Sequence, residues 1–154
     1  MIPEFDSLSS YEVELMHKAP ILVSILVAGA DGKIDQSEIS SAISLATKKH
    51  VPGTSRLVEF YDEVGTDFED KLKIVIQSFP VKEKLRTPKV IAELTQLNDI
   101  IGKLDKDFSC EFYESLKEIA TEVAQSSGGI LGMNRVGEAE AKYLSLDMIR
   151  NPAL

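Results

Sequence analysis

Ala30-Asp31-Gly32-Lys33-Ile34-Asp35-Gln36-Ser37-Glu38 is the stretch on which the reading of this chain turns. It follows an apolar run from Ala19 to Ala30 that only Ser24 and Gly29 interrupt. After it, Ile39, Ala42, Ile43 and Ala46 recur at the i, i+3, i+4, i+7 spacing of one helical face. The stretch is therefore a turn between two helices. Asp35-Gln36-Ser37-Glu38 has the form of a capping box, with Asp35 at the N-cap and Glu38 reaching back from the third helical position. Gly32 suits the left-handed residue that closes the helix before it.

Working outward, helical periodicity continues. Leu15, Leu22, Ile25 and Leu26 belong to a first helical region that Pro20 is expected to kink or divide. Leu57, Phe60, Tyr61 and Val64 form one face ending at Gly65, and Leu72, Val75, Ile76 and Phe79 another ending at Pro80. Thr87-Pro88 reads as a helix start, a capping hydroxyl before proline at the first helical position. Val90, Leu94, Leu97, Ile101 and Leu104 follow it at spacings of four and three. Phe108, Phe112, Leu116, Ile119 and Val123 predict a long helix stopping at Ser126-Ser127-Gly128-Gly129, and Ala139, Tyr143, Leu146 and Ile149 a last one. No segment sustains period-two alternation, so the expected class is all-α: a single domain over 1–154, bundled from about seven or eight helices.

The bundle also carries a suggestion of duplication. Leu26-Val27-Ala28, Asp31-Gly32 and Glu38 align with Glu122-Val123-Ala124, Gly128-Gly129 and Glu140. In both, a β-branched residue (Ile34 or Val136) stands four before the glutamate. Two helix–turn–helix units related by a pseudo-twofold axis are the expectation. The polar connector Val81–Arg86 falls between the halves.

Composition excludes some partners. A net charge of −8 is wrong for a nucleic-acid backbone, which needs clustered Lys and Arg, and favours cations or basic surfaces. The apolar run is shorter than the ~20 residues that span a bilayer, and no signal-peptide pattern opens the chain. The lone Cys110 cannot form an internal disulfide, in keeping with a reducing cytoplasm, and Asp107 and Glu111 beside it favour an inert thiol. His17 and His50 lack metal-ligand spacing and read as satisfied or surface residues. Glu114, Glu118 and Glu122 read as a solvated helix stripe. The Gly128–Gly137 loop lacks the Gly-Lys-Ser/Thr ending of a phosphate loop. No catalytic residue can be singled out, and the expectation is a non-enzyme.

The acidic turn supports two readings. Asp31, Gly32, Ile34 and Glu38 match the second half of an EF-hand loop, but the first two ligand positions would be Val27 and Gly29, which offer no side-chain oxygen. An EF-hand is excluded on ligand count. Asp31, Asp35 and Glu38, joined by Glu140 across the pseudo-twofold axis, would form an all-oxygen site suited to Ca²⁺, Mg²⁺ or Mn²⁺. On the other reading these carboxylates only cap helices.

Together, Ala30–Glu38 and the later Gly128-Gly129-Ile130-Leu131-Gly132…Val136-Gly137-Glu138-Ala139-Glu140 stretch resemble the TerB family. The resemblance extends over roughly 11–149 and includes Ile101-Gly102-Lys103-Leu104-Asp105. It implies an all-helical, pseudo-twofold, cytoplasmic protein of bacterial tellurite resistance and stress response. It also implies metal binding through acidic positions, here Asp31, Asp35, Glu38 and Glu140, and work alongside other stress proteins, membrane-associated ones among them. Ser127-Gly128-Gly129 departs from the Asp-Gly pattern of the first turn, which favours one asymmetric cation site over a symmetric pair. The alternative expectation is a helical protein-interaction module without metal.

Overall fold

The structure is a computed structural model that describes residues 2–31, 34–53, 55–127 and 142–154, the side chains of residues 31, 50 and 127 excepted. Among the described residues the chain is all-α, with seven α-helices and no strand. These are α1 (Ser10–Ala28), α2 (Gln36–His50), α3 (Leu57–Gly65), α4 (Phe68–Gln77), α5 (Glu83–Thr95), α6 (Leu97–Ile101) and α7 (Lys106–Ser127). The turn of the expected second helix–turn–helix unit, with Glu140, lies outside the described residues.

α1 is the axis of the packing. Its start is fixed by a capping box, Glu12 N donating to Ser9 Oγ at 3.2 Å and Ser9 N to Glu12 Oε1 at 2.9 Å. From Ala19 to Ala28 every residue is buried, because α3, α4, α5 and α7 pack around it. A helix that is apolar on all sides belongs inside a core. Pro20 does not divide it. The missing N–H removes one rung of the ladder, but the helix runs on through the proline, and Ser24 Oγ donates to the Pro20 carbonyl at 2.7 Å.

α7 lies against α1 and α2, burying Phe108, Phe112, Leu116, Ile119 and Val123, the face the spacing predicts. Phe5, on a 3-10 turn at Pro3–Phe5, meets Phe60 and Phe108 edge-on at 5.9 and 6.0 Å, and Phe60 meets Phe112 at 5.5 Å. Edge-to-face pairs of this kind add about 0.5–1.5 kcal/mol each beyond their buried area. Tyr61 closes the α3–α7 contact, its hydroxyl 2.6 Å from Ser115 Oγ; burial pushes the phenol well above its ordinary pKa despite that bond.

Three local expectations are corrected. α5 starts at Glu83, so Pro88 lies inside it and Thr87 Oγ1 donates to Glu83 Oε1 rather than capping an end. The extra turn is held by Arg86, described below. Residues 142–150 form successive turns where the expected last helix would continue, although Tyr143, Leu146 and Ile149 are buried; Ala139 lies outside the described residues. Leu146 adopts a left-handed φ of 49°, and Asn98 holds the segment from outside, donating to Met148 O at 3.0 Å and accepting from Arg150 N at 2.7 Å. Finally, the α7 glutamate stripe is not uniformly solvated. Glu114 is exposed, whereas Glu122 is buried with Lys49 Nζ at 3.5 Å. Among the described residues no helix is long and apolar enough to cross a membrane.

Candidate functional site

The junction of α1 and α2 combines a helix C-terminus, a helix N-terminus and acidic side chains. Gly29 is the C-cap of α1 and begins a 3-10 turn over Gly29–Asp31. α2 then starts at Gln36 with Asp35 as its N-cap, in extended conformation. Asp35 Oδ1 accepts from Ser37 N at 2.9 Å, Glu38 N at 3.1 Å and Ser37 Oγ at 2.8 Å. The Ser37 hydroxyl foremost, and the Glu38 amide after it, hold the Asp35 carboxyl below the usual carboxylate range. The Asp35 half of the expected cap is therefore in place.

The other end of the junction is governed by a residue the sequence does not single out. Arg86 is only 5% exposed, and its guanidinium donates from Nη2 to Gly29 O at 2.9 Å and from Nη1 to Val81 O at 2.6 Å. It sits where the carbonyls of α1 run out and the helix dipole is negative, a favourable place for a cation. Gly29 makes room for it. A Cβ there would stand 2.5 Å from Arg86 Nη2 and 3.1 Å from Cζ, closer than real contacts allow. The backbone at Gly29 (φ −82°, ψ −2°) is ordinary, so this glycine serves close approach rather than an unusual conformation.

Of the four expected ligands, Asp35 and Glu38 come together in the first turn of α2. Asp31 ends the 3-10 turn with its side chain outside the description, and Glu140 lies outside the described residues. Among the described residues no group of three or more His, Cys, Asp and Glu side chains is placed to hold a metal ion. Two carboxylates fall short of the six to eight oxygens Ca²⁺ takes, and they stand at the positive end of a helix.

The remaining candidates are structural. His17 Nε2 lies 2.9 Å from Glu63 Oε1 and its ring stacks on Phe60 at 5.6 Å, the satisfied histidine that its spacing predicts. Burial works against ionisation of Glu63, yet the hydrogen bonds it accepts, that of His17 among them, leave its carboxyl below the usual range. Arg86 had no visible signal in the sequence. It stands in a polar connector, and only packing against a glycine 57 positions earlier reveals its burial. The Ser9–Glu12 box was also missed, though the Ser-x-x-Glu pattern before an apolar run is a signal that could have found it. No family model matches this sequence, and no curated protein or solved structure matches it either.

Proposed function

We propose that this chain is a non-enzymatic, TerB-like helical module of the bacterial stress-response (tellurite-resistance) type. It works in the cytoplasm through contacts with other proteins, membrane-associated ones among them. In this reading the acidic turn is a rigid joint between α1 and α2, its charges set against the ends of the two helices. The observation that carries the joint is the threefold use of Asp35 Oδ1, which accepts two backbone amides and a hydroxyl. A carboxylate engaged in this way stabilises a helix start.

A second reading adds a divalent cation, Ca²⁺, Mg²⁺ or Mn²⁺, held by Asp31, Asp35, Glu38 and Glu140. It is favoured by one detail: among the described residues the three bonds to the Asp35 carboxylate all fall on Oδ1 rather than Oδ2. Calorimetry with each cation at millimolar concentration, on the wild type and Glu38→Gln, separates the two. The first reading expects no binding heat and a melting temperature indifferent to chelator. Saturable heat that Glu38→Gln abolishes would establish the second. A cation present at a hundred times its Kd would stabilise the fold by about 2.7 kcal/mol, which melting curves resolve. Capture of partners with and without chelator tests the contact role: a partner lost on chelation would overturn the metal-free joint.

A further inference from the structure

Away from the junction, a groove of about 620 Å³ opens between the N-terminal half of α1 and α4. Leu8, Val13, Ile21, Ile74 and Val75 give it an apolar lining, and Ile74 stands 66% exposed on its edge. Its titratable lining is His17, Lys18 and Lys71 against Glu14, a basic excess on a chain of net charge −8. Two of the basic groups are engaged by carboxylates, Lys18 by Glu93 at 2.7 Å and His17 by Glu63 at 2.9 Å. Lys71 is different. Its ammonium donates to the neutral backbone carbonyl of Glu63 at 3.2 Å, and among the described residues it forms no ion pair.

We propose that this groove binds a fatty acid of medium chain length, its tail over Leu8, Val13 and Ile74 and its carboxylate on Lys71. Apolar pockets of about 300–1,000 Å³ with a few placed polar groups are the usual form of a small-ligand site. The cation supplies the missing half of a charge-assisted bond. Scale favours a single chain over a protein. From Ser10 to Ile21 the α1 wall runs only about 16 Å, whereas a stable protein interface covers about 800 Å² per partner. The groove shares no residue with the acidic turn, so this inference stands or falls separately from the cation question.

Dodecanoate, kept below its micelle concentration and with chelator present, is titrated calorimetrically into the full chain. One-to-one saturable binding is expected. Lys71→Gln should weaken it about tenfold, the size of a lost bond to a charged group, and Lys71→Arg should retain it. Dodecanol, which has no charge, should bind wild type and Lys71→Gln alike. Val13→Trp, filling the groove, should remove both ligands; should that variant fail to fold, Ile74→Asp on the exposed edge replaces it. Absence of saturable dodecanoate binding, or equal losses for acid and alcohol in Lys71→Gln, overturns the proposal. So does self-association that Ile74→Asp abolishes, which would seat a second copy of the chain in the groove.

Discussion

Gly29→Ala puts the Arg86 clamp to a quantitative test. Judged by backbone alone, the change should help: Gly29 is in the right-handed region, and alanine at a helical position is worth up to about 1 kcal/mol over glycine. The new Cβ, however, would lie 2.5 Å from Arg86 Nη2, and carbon contacts settle at about 3.5–4.0 Å. The guanidinium must retreat by about an ångström, which breaks its 2.9 Å bond to Gly29 O. A hydrogen bond to a charged group contributes about 1.5–3 kcal/mol, so the net expectation is a loss of about 1–2 kcal/mol. Arg86→Met keeps the packed stem but strands the Gly29 and Val81 carbonyls, and should cost about 3 kcal/mol after the saved desolvation of the guanidinium is counted. In the Arg86→Met background Gly29→Ala should be neutral or stabilising, giving a coupling of about 2 kcal/mol. The chain has no Trp, so urea melts followed by far-ultraviolet circular dichroism are the assay. Additivity within about 0.5 kcal/mol would refute the argument, because it would mean that Gly29 and Arg86 do not share a contact.

Two further outcomes follow from the same geometry. Asp35, Glu12 and Asp105 all have carboxyls held below their ordinary pKa, so the stability they confer is complete above about pH 5 and is lost as pH falls through their lowered values; Asp35→Ala, which removes the cap, should lower the melting temperature at neutral pH by about 3 °C, whereas Asp35→Asn, which keeps a capping oxygen and loses the charge, should change it little and flatten the acid limb, and an unchanged acid limb would count against the cap. Glu122 is buried, with half-exposed Lys49 3.5 Å away, so the pair should be asymmetric: Lys49→Met should cost about 1 kcal/mol by leaving the acid to itself, Glu122→Gln should be neutral or stabilising, and equal losses in urea melts would contradict this.

What the sequence carried and what it withheld divide along a physical line. Positions where one face meets a core are periodic, so the buried set on α7 and the closing residues Gly65 and Pro80 could be read directly. Over its described part, residues 142–150, the last expected helix gave way to turns although the spacing of its apolar residues is correct. Tyr143, Leu146 and Ile149 do reach the core, but through turns that Asn98 braces from 50 residues away. Pro88 failed for a similar reason: a local start signal yielded to the tertiary anchoring of Arg86. At the candidate site, Asp35 was legible because capping is a local bond, three residues wide. Arg86 was not, since a buried cation is recognisable only by what surrounds it.

The junction itself weighs against a cation centred on α2. Two helix ends meet across the turn, and the chain sets an opposite charge against each, Arg86 on the carbonyls of α1 and Asp35 on the amides of α2. A divalent ion brought to Asp35 and Glu38 would approach the positive end of α2. An ion on Asp35 Oδ2 would share its carboxylate charge with the Ser37 hydroxyl and the two amides on Oδ1. The bonds that depress the Asp35 pKa and those that would bind a metal draw on one supply of negative charge. A capping aspartate is thus a poorer ligand than its formal charge suggests. Cation affinity at this turn would therefore draw chiefly on Asp31 and Glu140, which is why calorimetry on Glu38→Gln is paired with the wild type.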